Sequence, residues 1–145
     1  MRLPIYILGL LLCVLLSPLV HADVQAIESI VDRKADENGV PSSLVKAIIT
    51  VESGWHSAAR NGSSIGLMQI TPGTARALGF RGTLKELFDP ETNIGLGTLY
   101  LAQAYRLAEG DLCATITRYQ SGLDATRANG ANRAYCKKLQ GLLTP

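Results

Sequence analysis

The chain has 145 residues, of which 47% are hydrophobic and 18% charged, with a formal net charge of +2. These values fit one globular domain and exclude a disordered or collagen-like chain. No basic run is longer than two residues, so no nucleic-acid-binding face is expected.

Met1-Arg2 opens the chain, and Ile5 to Leu16 is almost unbroken apolar sequence. Pro18 and Val20-His21-Ala22 follow, a small-residue site of the A-x-A type. This pattern predicts a secretory signal over 1–22, cleaved after Ala22, and a single domain over 23–145. The other reading is an uncleaved anchor helix. The apolar run is short for a span, which needs about 20 residues, so no stable membrane anchor is expected after cleavage. Leu11-Leu12 before Cys13 argue against lipidation of that cysteine. Removal of the segment leaves Cys113 and Cys136. In an oxidising compartment the simplest pairing is one disulfide, tying two late helices together, against an alternative of two buried free thiols. His56 is the lone histidine of 23–145 and has no ligand cluster around it, so no metal and no cofactor are expected.

Helical patterns fill most of the remainder. Asp23 suits the cap of a first helix with Val24, Ile27, Ile30 and Val31 on one face, ending near Asn38-Gly39. Pro41 suits the first turn of a second, with Leu44, Val45, Ile48 and Val51 apolar and a stop at Gly54. Residues 55–70 lack helical period and are rich in Gly, Ser and Asn; they predict a long loop with a short β excursion at Gly66–Ile70. Thr71-Pro72 opens a third helix ending at Gly79, and Asp89-Pro90 opens the longest, to about Glu109-Gly110. Asp111 caps a fifth, to Ser121, and Asn129 to Leu142 holds the last. The fold class is mainly α, with at most a minimal β element.

A long loop without regular structure usually has a function. This one begins directly after Glu52. Leu44, Ile48 and Glu52 are spaced i, i+4, i+8, so the apolar stripe of the second helix ends in a carboxylate. Lys46, the other charge on the body of that helix, points elsewhere. Partial burial and the helix C-terminal dipole both disfavour the anion, and the helix places no cation to compensate. All three raise the carboxyl pKa, as a general acid near neutrality requires. A Glu reaching past the helix end into water is the plainer alternative.

The surrounding motifs decide between them. Glu52-Ser53 is followed by Gly66-Leu67-Met68-Gln69-Ile70, Thr71-Pro72-Gly73-Thr74-Ala75, Phe88-Asp89-Pro90-Glu91-Thr92-Asn93-Ile94 and Gly97-Thr98-Leu99-Tyr100-Leu101. From about Ile27 to Tyr135 the chain resembles the catalytic domain of soluble lytic transglycosylases, relatives of goose-type lysozyme. The resemblance implies a lysozyme-like helical domain with a groove for peptidoglycan glycan strands, and Glu52 as the catalytic acid/base. It implies Ser53 near the N-acetyl group of the reacting sugar and Met68 and Gln69 lining the groove. Tyr119 matches the tyrosine of the family's Y-N-x-G motif, which contacts the glutamate; here the motif reads Tyr119-Gln120-Ser121-Gly122, so Gln120 departs from it. Tyr135 takes the place of a late family tyrosine near the acid. Tyr100 is expected to reach the groove and Tyr105 to pack. Asn93 is expected to fix a helix start, Gly66 to serve backbone geometry or close glycan approach, and Trp55 to cover the core. His56 and Lys137-Lys138 read as solvated; Arg60 and Asn61 are weaker candidates for the groove edge.

After Glu52 the next acidic residue is Glu86, so no second carboxylate lies near it in sequence. Ordinary glycosidases use two. The family answers this with the substrate: the acetamido oxygen of N-acetylmuramic acid assists departure, and the C6 hydroxyl closes a 1,6-anhydro ring. The expected enzyme is therefore an exported, periplasmic and monomeric lytic transglycosylase cleaving the MurNAc-β-1,4-GlcNAc bond. By family analogy it opens the wall for a trans-envelope secretion, conjugation or pilus apparatus. The rival readings are a muramidase with water as acceptor and a non-catalytic wall-binding assembly protein.

Overall fold

The computed structural model describes residues 23–144. The signal expected over 1–22, with its cleavage after Ala22, falls outside the described residues. A first helix, α1, covers residues 23–38. It is followed by α2 (Ser42–Glu52), a two-stranded hairpin of β1 (Arg60–Asn61) and β2 (Ser64–Ile65), and α3 (Pro72–Ala77). A 3-10 turn (Lys85–Phe88), α4 (Pro90–Leu107), α5 (Leu112–Ser121) and α6 (Gly130–Leu143) complete the order. The mainly helical expectation holds.

Sequence punctuation sets most of the boundaries. Thr71, Asp89 and Asp111 each accept a hydrogen bond from the backbone N–H three residues on, the N-cap geometry that satisfies an otherwise orphaned donor. Asn129 and Asn132 cap each other reciprocally at the start of α6. Two expectations are corrected. Pro41 is the N-cap residue of α2 rather than its first helical residue, and it supplies no side-chain bond. The β pairing lies earlier than Gly66–Ile70: Arg60 faces Ile65 and Asn61 faces Ser64 across a Gly62-Ser63 reversal, and Ile70 adds an isolated bridge to Ile65. Gly62, at φ 59°, supplies the positive backbone angle that a two-residue hairpin loop needs at its first position.

The core is assembled around α4. Ile94 and Leu101 of α4 are fully buried with Ile48 and Ile49 of α2, Ile116 of α5 and Leu139 of α6. Helix α5 packs on α4 and α6, and α6 packs on α2. A disulfide joins Cys113 of α5 to Cys136 of α6 with Cα atoms 5.3 Å apart. Closing a loop of this length contributes about 3 kcal/mol if unstrained. On the surface, Arg33 and Lys34 of α1 bridge to Glu91 in the first turn of α4.

The loop between β2 and α3 is pinned from inside. Asn93, fully buried in α4, accepts from the Met68 backbone N–H and donates to the carbonyls of Ile65 and Leu87, each at 2.8 Å. It does not fix the helix start, which Asp89 caps; it clips the loop and the 3-10 turn to the helix. Two glycines make room. A Cβ on Gly66 (φ 75°) would lie 2.4 Å from Asn93 Nδ2, and one on Gly97 would lie 2.4 Å from Met68 Sδ. An Asn93→Ala variant strands one amide and two carbonyls in the core, and should lose about 3 kcal/mol of stability in urea titrations.

Candidate active site

Glu52 is the last residue of α2, one turn beyond the fully buried Ile48 and two beyond Leu44. The core stripe therefore delivers its carboxyl to the edge of the interior. Burial pushes the carboxyl pKa up from its ordinary 4.5. The Tyr135 hydroxyl, donating to Oε1 at 2.7 Å, works against this, and burial prevails. Lys46 is drawn away to Asp32, with Nζ 2.8 Å from Oδ1. Among the described residues no ion pair involves Glu52. The Tyr135 phenol is itself pushed well up, by burial first and then by the Glu52 charge, so it serves as a donor throughout the neutral range.

Glu52 opens onto a groove of about 390 Å³. One wall is Asn61 and Ser64 of the hairpin; another is Gln69, Ile70 and Thr71 of the pinned loop with Thr74 of α3. Tyr100 of α4 and Tyr119, Gln120 and Gly122 around the end of α5 close the far side. Glu52 is the one carboxylate among these described lining residues. The Tyr100 and Tyr119 rings meet at 5.6 Å between centroids, tilted by 54°. Such a tilted pair offers apolar faces and edges to a polar groove.

The structure distributes the expected site residues unevenly. Gln69, Tyr100 and Tyr119 line the groove. Gln69 does so from a left-handed backbone (φ 51°), with Nε2 donating to the carbonyls of Gly66 (2.9 Å) and Ala59 (3.3 Å). A left-handed non-glycine residue is uncommon, and its own amide fastens this turn. The Met68 side chain does not line the groove; it is fully buried over Gly97. Met68 instead offers its carbonyl, which accepts from the Tyr119 hydroxyl at 2.9 Å. That bond takes the Tyr119 hydroxyl; the phenol hydrogen-bonded to Glu52 is that of Tyr135, the tyrosine that the resemblance placed near the acid. Ser53 turns its hydroxyl back onto the Ile49 carbonyl at 3.2 Å. Asn61 reaches the groove, whereas Arg60 folds onto the Gly62 carbonyl. Trp55 packs on the core, and His56 and Lys137-Lys138 are exposed. Sequence reasoning missed Asn132, whose bonds to the end of α5 pin the first turn of α6 and so aim Tyr135. Its only signal was the Asn129-x-x-Asn132 spacing, a capping box written with asparagine.

Comparison with known proteins agrees with this geometry. The sequence profile described as the transglycosylase SLT domain matches residues 29–140. The chain belongs to the SLT transglycosylase domain family. A membrane-bound lytic murein transglycosylase E of Buchnera aphidicola is 38% identical over 81 residues, 50% of this chain and 37% of that protein. An endo-type membrane-bound lytic murein transglycosylase A of Klebsiella pneumoniae is 42% identical over 72 residues, 44% of this chain and 36% of that protein. This chain thus spans little more than a third of the curated relatives it matches. Among solved structures, an inactive mutant of the lytic transglycosylase Slt of Pseudomonas aeruginosa superposes with a TM-score of 0.68 at 27% identity. That match covers 79% of this chain and 22% of the other.

Two expectations follow for this SLT domain. Because the folded-state pKa of Glu52 lies above its unfolded value, the native state holds the proton longer. Stability therefore falls as pH rises from about 4.5 through the native pKa, and the loss persists above it. Glu52→Gln keeps an acceptor for Tyr135 and removes the charge, so its melting temperature should exceed wild type by a few degrees at pH 8 and match it near pH 4. Tyr135→Phe removes the bond that favours the carboxylate. An NMR titration of the Glu52 carboxyl should then give a higher pKa in this variant than in wild type.

Proposed function

We propose that this SLT domain cleaves the β-1,4 bond between N-acetylmuramic acid and N-acetylglucosamine in peptidoglycan without water, leaving 1,6-anhydromuramoyl ends. One observation carries the proposal: Glu52, partly buried at the end of α2, is the one carboxyl among the described residues that line the groove. Protonated Glu52 donates to the bridging oxygen as the bond to the anomeric carbon breaks, and the acetamido oxygen of the same sugar bonds to that carbon. The Glu52 carboxylate then takes the proton of the C6 hydroxyl. The C6 oxygen attacks the anomeric carbon, the acetamido oxygen leaves, and Glu52 ends protonated as it began.

The surroundings support such a cycle. Tyr135 donates to the carboxylate in the middle step, while burial favours the acid at either end. Gln69, Tyr100 and Tyr119 are the proposed glycan contacts, with Ser53 beside the acid. Tyr135 positions Glu52, and Met68 acts through its carbonyl. The proposal places the protein in the cell envelope, exported to the periplasm. The disulfide suits an oxidising compartment, and the relatives bear the name of murein enzymes. Among the described residues no helix is long and apolar enough to cross a membrane. Local wall opening for a secretion, conjugation or pilus apparatus is the physiological role we attach to this activity.

Mass spectrometry of purified peptidoglycan digested by residues 23–145, beside a Glu52→Gln control, tests the chemistry. Anhydromuropeptides should come from the wild type alone, with the control slowed by at least about a thousandfold. Reducing-end products would make the protein a muramidase, and binding without release would make it a wall-binding protein; either result overturns the proposal.

A further inference from the structure

Gln120 is where this chain leaves the family motif, and the structure gives the longer side chain a partner. Asn132 lies in the first turn of α6 and is 2% exposed. Its orientation is set by a group that only donates. The Asn129 backbone N–H reaches Asn132 Oδ1 at 3.0 Å, so that atom is the acceptor oxygen. Nδ2 is then the donor that meets Gln120 at 3.0 Å and Ser121 Oγ at 3.1 Å. A donor needs an acceptor opposite, so Gln120 presents Oε1 to Asn132 and turns Nε2 the other way. Gln120 is exposed and lines the groove that Glu52 opens onto. The Asn129 backbone N–H thus fixes, through Asn132, the orientation of an amide that lines the groove.

We propose that Asn132 is a positioning residue that holds Gln120 with its amide NH2 toward the groove, as a hydrogen-bond donor to an acceptor oxygen of the bound glycan strand. The added methylene of Gln120 gives the reach from the end of α5 to α6. A shorter amide at this position would have to give up either Asn132 or the groove. The identity of the ligand rests on the transglycosylase reading; the orientation of the amide does not.

The test measures binding of soluble, uncrosslinked glycan strands by calorimetry in a Glu52→Gln parent, which does not consume them. Gln120→Met keeps the length and removes the amide. Asn132→Asp keeps the acceptor for Asn129 but removes the donor, so Gln120 must turn Nε2 toward the new carboxylate and away from the groove. Each substitution should weaken binding about tenfold, and the double variant should be no weaker than either single, because both remove one donor. The melting temperature of Asn132→Asp should stay within a few degrees of the parent, since the capping box survives. Unchanged binding by Gln120→Met overturns the proposal, as do two losses that multiply to about a hundredfold. If the parent binds no strands and the active protein releases no muropeptides, the transglycosylase reading falls and this inference falls with it. If the parent binds and Gln120→Met binds equally, this inference falls alone.

Discussion

The site depends first on a neutral side chain far from the chemistry in sequence. Asn93 uses its amide oxygen on Met68 and its amide nitrogen on Ile65 and Leu87, all inside the core. A loop of this composition has no regular ladder to satisfy its backbone groups, so it needs a polar partner if it is to be buried. With that partner, Leu67 and Met68 enter the core and Gln69 emerges on the groove. The Met68 carbonyl then stands where the Tyr119 hydroxyl can reach it. Gly66 and Gly97 are required for the same reason: the loop approaches α4 too closely for a Cβ at either place. One buried amide thus couples the loop, the central helix and, through Tyr119, the wall of the groove formed by α5.

A second constraint acts from the C-terminal side. Tyr135 must reach Glu52 across 83 residues of sequence. Helix α6 is brought there by packing on α2, by the asparagine pair at its start and by the disulfide at Cys136, the residue next to Tyr135. Capping fixes where the helix begins, and the disulfide fixes its distance from α5. Rotation about the helix axis is set by the buried face of Asn132, Tyr135, Cys136 and Leu139. These are ordinary folding interactions, yet they converge on the residue that donates to the Glu52 carboxyl.

The sequence made the helices legible because caps and glycine stops bracket apolar periods: Thr71-Pro72, Asp89-Pro90 and Asp111 all start helices as read. Glu52 was also legible, since its place on an apolar stripe is a property of spacing alone. The residues that were misread act through contacts that spacing does not encode. Met68 was expected in the groove from the resemblance alone, but the small Gly97 opposite leaves a space in the core that its side chain fills. Tyr119 and Tyr135 are both tyrosines near the acid, and only the path of the pinned loop decides that Met68, rather than Glu52, receives the Tyr119 proton donor. Asn93 reads as a helix-start residue because it follows Asp-Pro, while its true partners are 25 and 28 positions upstream and 6 upstream. The β element was placed too late because strands of two residues carry almost no alternating pattern, and the reversal between them is a single Gly62-Ser63 pair.

The absence of a second acid from the groove lining has a physical logic beyond economy of residues. In the cycle we propose, Glu52 gives a proton in one step and takes one in the next, and such a carboxyl works best when neither form is strongly favoured. Burial alone would leave Glu52 a willing acid and a poor carboxylate; the Tyr135 donor restores part of the balance by stabilising the anion. A neighbouring carboxylate would tilt it back, because a like charge at close range raises the pKa further. A groove lined instead by amides, hydroxyls and tyrosine rings can hold a polar strand without adding any titrating group near the acid. Gln120 keeps to that requirement: lengthening the amide changes reach and leaves the local charge untouched, whereas an acid of the same length would add a titrating group to the lining.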